Sequence, residues 1–310
     1  MNSGLLAAEP TLVAIVGPTA VGKTALALAL AARLGGEIVS ADSRQIYRGM
    51  DIGTAKPTPA ELAAVPHHLI DIADPDEDFS LALYHDLAIA AIEAIGARER
   101  LPLLAGGTGQ YLAAVLEGWQ IPRVAPQPEL RAALEREGAP ALHARLAQVD
   151  PIAAAGILPN NLRRIIRALE VYELTGRPIS EQQRKQPPPY RIRTLWLMLA
   201  PERLYARIDA RVDAMVAAGL IGEVRGLVER GYGWELPAMS SLGYREFAPY
   251  FAGECGLEEA IQRLKFNTHA FARRQANWFR RLPGCVQLPA DADDLVERAM
   301  ATIVDMENRR

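Results

Sequence analysis

The chain has 310 residues, half of them hydrophobic, a formal net charge of −3 and two cysteines. That length can bury a full core and favours a large domain carrying an insertion, while the slight acidity excludes a uniformly basic nucleic-acid coat and leaves only local patches. The longest wholly apolar stretch, 25–32, is too short to span a bilayer, residues 1–10 lack the basic start and apolar block of a secretory signal, and Cys255 and Cys285 have no zinc-type spacing, so a reduced, cytoplasmic protein without a membrane segment is expected.

Residues 11–16 (TLVAIV) are a short β-rich run entering a glycine loop, and 25–34 reads as a helix closed by Gly35 and Gly36. Between them stands Gly17-Pro18-Thr19-Ala20-Val21-Gly22-Lys23-Thr24, which has the spacing and the strand-to-helix context of a P-loop, an ATP-type nucleotide-binding motif. Glycine permits the tight turn, amides at a helix start point toward anionic oxygen, Lys23 adds charge, and the Thr24 hydroxyl can take magnesium. Pro18 lacks an amide hydrogen, so the donors come mainly from Ala20 to Thr24. The loop predicts a bound phosphate chain and leaves the reaction open.

Residues 36–40 read as a second buried strand. Ligands of open parallel sheets lie beyond the strands' carboxyl ends, which turns Asp42, Ser43, Arg44 and Gln45 toward the loop. Position alone leaves Asp42 as a magnesium ligand through water, a proton acceptor or a turn cap, with Asp71 as a second magnesium candidate. A helix over 81–98 precedes a strand over 101–105, and Gly106-Gly107-Thr108-Gly109 follows as a close-approach turn where Thr108 either meets a ligand or completes the turn. From 122 to 191 the pattern changes to helices broken by prolines, without a strand. Residues 193–199 and 285–288 return as strands with helices between them through 281. The prediction is an α/β fold, a P-loop parallel-sheet core over 11–121 and 192–310 with an inserted helical domain over 122–191. His67, His68 and His269 read as core or surface histidines rather than metal ligands.

Several segments carry a more specific signal. The loop 17–24, the run 42–57 (DSRQIYRGMDIGTAKP), 66–71 (PHHLID), 106–109 (GGTG), 167–172 (RALEVY), 241–246 (SLGYRE), and Arg274-Gln275 followed by Trp278-Phe279-Arg280 together resemble the bacterial tRNA dimethylallyltransferase family, in order along nearly the whole chain. The resemblance implies transfer of a dimethylallyl group from dimethylallyl diphosphate to the N6 amine of the adenosine just 3′ of the anticodon, with magnesium. It implies Asp42 as general base, Lys23, Thr24 and Arg211 at the diphosphate, and Thr24 as a metal ligand. It also implies a surface for the tRNA anticodon stem-loop: Asp42, Ser43, Arg44, Gln45 and Thr108 at the reacting base, Arg131, Arg163, Arg164, Ile165, Ile166 and Arg167 in the insertion, and Gly243, Tyr244, Arg245, Arg273, Arg274 and Gln275 toward the C-terminus.

Basic runs suit RNA phosphates, and Arg263, Lys265, Arg280 and Arg281 extend the second one. Trp278 and Phe279, at helical spacing, read as core rather than base-stacking groups, and Arg211 has the alternative of a surface pair with Asp209 or Asp213. Two departures stand out: His269-Ala270 replaces a pair of arginines common in the family, and Arg163 replaces a common glutamine. A monomer is expected. A nucleotide kinase would not need the basic patches, an enzyme prenylating free nucleotides would not need an RNA-gripping insertion, and a non-catalytic RNA binder would not need Asp42 facing Lys23 and Thr24.

Overall fold

The computed structural model describes residues 11–308; the absence of a secretory signal in residues 1–10 lies outside the described residues. Six strands, β1 (Thr11–Val16), β2 (Gly36–Ala41), β3 (His67–His68), β4 (Leu101–Gly106), β5 (Arg191–Met198) and β6 (Cys285–Pro289), form one sheet in the order β3-β2-β4-β1-β5-β6. Every pairing is parallel. Strands buried on both faces need continuous apolar runs rather than alternation, and β1 supplies one, with Leu12 to Val16 fully buried.

Helices α1 (Lys23–Leu34), α2 (Pro59–Ala64), α3 (Leu81–Ala97) and α4 (Gly109–Leu116) alternate with the first strands, and α10 (Pro201–Ala217), α11 (Leu220–Glu229), α12 (Ala248–Phe251), α13 (Leu257–Phe279) and α14 (Leu295–Asn308) follow β5. Between them lie α5 (Pro128–Glu137), α6 (Ala139–Val149), α7 (Pro151–Gly156), α8 (Leu162–Thr175) and α9 (Ile179–Gln182). The ends follow local chemistry. Gly35 closes α1 in the left-handed conformation, Thr58 and Glu61 form a capping box on α2, and the Ser80 side chain accepts the Leu83 N–H at the start of α3. The chain divides into two compact units, 1–113 with 189–310, and 114–188.

Two features differ from the sequence reading. β3 was not expected, because two residues are too short for any periodic signal; it exists through its pairing with Ile38 and Val39 of β2. The second unit begins earlier than residue 122, because Gly118 and Gln120 exchange backbone hydrogen bonds with Gln186 and Arg184 at 2.8 Å each, which ties 118–120 to the segment preceding the proline run. The core of that unit is Leu134, Leu142, Leu146, Ile165, Ile166, Leu169 and Val171. In the larger unit, residues of β1, β2, β4 and β5 join those of α1, α10, α11 and α13 in one apolar cluster.

The register levels the strand ends that matter. Gly106 pairs with both Val16 and Ala41, and Val16 pairs with Trp196. The turns after β1, β2 and β4, and the start of α10 after β5, therefore emerge side by side.

Candidate active site at the carboxyl ends of β2, β4, β1 and β5

The loop 17–24 leaves β1 and runs into α1, whose first residue is Lys23. Gly22 precedes it with φ 108, a left-handed angle that glycine adopts without penalty. Thr24 is exposed at this helix start, where unpaired amides and the helix dipole favour an anion. The Lys23 ammonium folds over the loop and donates to the carbonyls of Gly17 (2.9 Å) and Pro18 (2.8 Å). Burial pushes its pKa down to about 7; the Asp42 carboxylate opposes that shift and the Arg211 guanidinium adds to it.

Arg211 lies on α10 and is likewise lowered by burial and raised by Asp42. The alternative ion pairs are already taken: Asp209 accepts from His269 at 2.8 Å, and Asp213 pairs with Lys265 at 2.6 Å. The Asp42 charge thus acts on two basic side chains, Arg211 held by helix α10 and Lys23 by the glycine loop. One helical turn before Arg211, Arg207 donates to the Val21 carbonyl at 3.3 Å. Sequence reasoning missed this residue, although its i, i+4 spacing from Arg211 puts both on one helix face.

Asp42 opens the turn after β2. Its carboxylate accepts the Arg44 N–H at 2.9 Å, so the turn-capping geometry is present, and its charge acts on Lys23 and Arg211 as well. Ser43 N–H donates to Thr108 Oγ1 at 3.0 Å, and Thr108 N–H donates to the Ala41 carbonyl at 3.1 Å, so the turns after β2 and β4 are joined. Gln45 spans Ser40 and the carbonyls of Thr54 and Ala55, while Arg44 donates to the Pro237 carbonyl at 2.7 Å. Below Asp42, Tyr84 and Tyr111 stack at 3.6 Å between ring centroids. Burial raises both phenols, and the Asp42 charge contributes to each shift. Asp71, the other magnesium candidate, is committed to the buried ammonium of Lys56, which also pairs with Asp51 at 2.7 Å.

The 241–246 segment is mostly interior, with Arg245 exposed. Tyr244 is fully buried and its hydroxyl donates to Glu223 at 2.7 Å. Glu223 also accepts the N–H groups of Asp51, Ile52 and Gly53 at 2.7–3.0 Å, an anchor that a lone glutamate on α11 did not announce. Gly243 has φ +99 and any Cβ there would fall 2.9 Å from the Gly53 carbonyl oxygen. Arg245 Nε donates to the buried Glu246 at 2.8 Å, and the same carboxylate takes the Gly243 N–H. Gln275 is also buried. Arg273 and Arg274, its neighbours on α13, are exposed, with the Arg274 guanidinium 5.8 Å over the Phe271 ring. Trp278 packs on Gly109, and Phe279 is in the core.

In the second unit the expected RNA-facing set divides. Arg163 and Arg164 are exposed. Ile165 and Ile166 are buried in the core, so their side chains are not surface groups. Arg131 forms a two-point pair with Glu170 at 2.8 Å per contact, and Arg167 donates to the same carboxylate at 2.6 Å and to the Val124 carbonyl at 2.9 Å. Burial alone would raise the Glu170 pKa; hydrogen bonds from Arg131, the Gln127 N–H and Arg167 outweigh it and hold the group at about 2. These two arginines therefore neutralise a buried acid within their own unit.

The histidines have ordinary partners: His67 Nδ1 lies 2.8 Å from the Val65 carbonyl, His68 pairs with Glu37 at 2.7 Å, and His269 stacks on Tyr205. No helix among the described residues is long and apolar enough to cross a membrane.

The family model described as IPP transferase matches residues 45–282. The chain is 72% identical over 296 residues to the tRNA dimethylallyltransferase of Roseiflexus castenholzii, covering 94% of this chain and 97% of that one. Among solved structures, the tRNA isopentenylpyrophosphate transferase of Bacillus halodurans superposes with a TM-score of 0.73 at 43% identity, over 97% of this chain and 99% of that one. A eukaryotic dimethylallyltransferase captured acting on tRNA superposes with a TM-score of 0.83 at 29% identity, over 97% of this chain and 80% of its own. The P-loop-type sheet, the level strand ends and these matches agree: the chain belongs to the IPP transferase family of tRNA dimethylallyltransferases and is a prenyl-transferring enzyme.

Proposed function

We propose that this enzyme transfers a dimethylallyl group from dimethylallyl diphosphate to the N6 amine of the adenosine just 3′ of the anticodon in tRNA, with Asp42 as general base and the loop 17–24 holding the leaving diphosphate. The observation that supports the reading is that the Asp42 carboxylate, in the turn after β2, acts electrostatically on both Lys23 of the glycine loop and Arg211 of α10. In the proposed step the allylic carbon–oxygen bond breaks, the N6–carbon bond forms, and the N6 proton passes to Asp42. The adenine amine is a weak nucleophile because its lone pair is delocalised into the ring, so removing the proton as the bond forms lowers the barrier. Charge gathers on the departing diphosphate, where loop amides, Lys23 and Arg211 stabilise it. The loop grips what leaves, which separates this reading from a kinase.

Magnesium fits the loop: the hydroxyl of the exposed Thr24 is a hard oxygen of the kind this cation prefers, and substrate phosphate oxygens would complete its shell, which leaves the Asp42 carboxylate for the proton. Bound there, it would offset charge on the diphosphate. A stacked base cannot reach Asp42, so the adenosine must leave the anticodon loop, at a cost of about a few kcal/mol. The exposed Arg163, Arg164, Arg273 and Arg274 are assigned to RNA phosphates.

The test offers the purified protein magnesium and labelled dimethylallyl diphosphate with unmodified tRNA, ATP or AMP. Label enters tRNA alone; label in AMP or ATP, or in none of them, overturns the reading. Asp42→Asn keeps tRNA affinity and lowers kcat by about 100-fold or more, and a variant with undiminished turnover removes Asp42 as the base.

A further inference from the structure

The buried amide of Gln275 bridges the two turns that flank the candidate site. Its Oε1 accepts the Thr19 N–H of the glycine loop at 2.9 Å, and its Nε2 donates to the Gly107 carbonyl, in the turn after β4, at 2.8 Å. Thr19 presents a backbone donor and Gly107 a backbone acceptor, so a carboxamide is complementary to both at once. The approach is possible only because residue 107 is glycine: a Cβ there would sit 2.4 Å from Gln275 Nε2. One turn along α13, Trp278 lies against Gly109 in the same manner, with its indole 2.6 Å from where a Cβ would be. Two glycines of this close-approach turn, Gly107 and Gly109, thus admit two side chains of α13.

The bridge does not stop at Gly107. Thr108 accepts the Ser43 N–H, and Ser43 follows Asp42. Hydrogen bonds joined through the Gly107–Thr108 backbone therefore connect the loop carrying Lys23 to the turn carrying Asp42, and Gln275 is the side chain in that run that comes from α13. We propose that Gln275 is a positioning residue for the transfer reaction. It fixes the separation between the diphosphate-holding loop and the Asp42–Thr108 side, and it does not contact tRNA through its side chain. This rests on the function proposed above. Because the residues just before it, Arg273 and Arg274, are exposed cations, α13 also places the brace next to a surface assigned to RNA phosphate.

The prediction is a loss in kcat rather than in tRNA affinity. Gln275→Met keeps the length of the side chain and removes both hydrogen bonds; Gln275→Glu keeps the acceptor for Thr19 but sets a carboxylate against the Gly107 carbonyl. Steady-state transfer to tRNA, thermal unfolding and tRNA binding are measured for both variants beside the wild type. Both variants are expected to bind tRNA within about 2-fold of wild type and to lose about 10- to 100-fold in kcat, the scale on which a small misplacement slows a reaction. Lowering the pH should partly restore Gln275→Glu relative to wild type, because the protonated carboxyl can again donate to Gly107 while accepting from Thr19.

If Gln275→Met does not fold, the pH response of Gln275→Glu decides. Unchanged kcat in a folded variant, a loss confined to tRNA affinity, or a Gln275→Glu deficit independent of pH overturns the positioning role and leaves the proposed function standing. A wild-type protein that transfers no label to tRNA overturns both.

Discussion

Lys23 is poised between two states. Its ammonium is satisfied by the Gly17 and Pro18 carbonyls, yet burial brings its pKa to about 7, so near neutrality the group is only partly charged. A bound diphosphate favours the charged form and raises that pKa, so binding takes up protons. The sign follows: the part of the diphosphate affinity that Lys23 contributes is complete below pH 7 and is lost as the pH rises above 7 and Lys23 loses its proton. Titration calorimetry from pH 6 to 8.5, with Lys23→Arg as comparison, checks this. Arginine stays charged over the range, so its profile lacks the component that wild type shows, and identical profiles would remove Lys23 as the group responsible.

Helix α8 shows why a charge run is ambiguous as a sequence signal. Its arginines 163, 164 and 167 look alike in sequence, but one face of the helix is buried and carries Glu170 inward, where Arg167 and, from α5, Arg131 must neutralise it. Removing one of two cations leaves the buried carboxylate with weaker compensation. Because Arg167 and the Gln127 N–H still hold Glu170, and Arg131 is itself partly exposed, Arg131→Ala should cost about 1 to 2 kcal/mol, read by urea unfolding and by faster hydrogen exchange within 114–188 of the full chain. The Glu170 carboxyl has a folded pKa depressed to about 2, below its unfolded value. Its contribution to stability is therefore complete above the ordinary glutamate range, and it is lost as the pH falls from about 4.5 through 2. Acid should loosen this unit through Glu170, and the acid-induced change should be smaller in Glu170→Gln.

Taken over the whole molecule, the net charge of −3 hides local pairs of exposed arginines, among them Arg163 and Arg164 in one unit and Arg273 and Arg274 in the other. Contacts to RNA phosphate release counterions, so each lost contact lowers the salt dependence of binding. Replacing Arg163 and Arg164 by alanine should weaken tRNA binding, reduce the slope of log affinity against log salt by about 1 to 2, and leave the unfolding midpoint unchanged. Arg131→Ala and Arg167→Ala should instead lower the midpoint. The contrast separates surface cations from those that hold the fold, and a salt slope unaffected by the double substitution removes Arg163 and Arg164 from the RNA surface.

The sequence by itself determined the parallel α/β core and its glycine loop, because local rules suffice: unbroken apolar runs for strands covered on both faces, and Gly17-x4-Gly22-Lys23-Thr24 at a strand-to-helix junction. It also set Asp42 and Thr108 at strand ends, since in a parallel sheet the carboxyl ends share one edge. Only the tertiary structure decided which like residues do unlike things. Arg131 and Arg167 turn to a buried acid while Arg163 and Arg164 stay exposed, Asp71 goes to Lys56 while the Asp42 charge acts on Lys23, and Gln275 reaches Thr19 from 256 residues away. Partners so distant along the chain leave no periodic or spacing signal. They are chosen by burial, because an interior polar group left without a partner is costly.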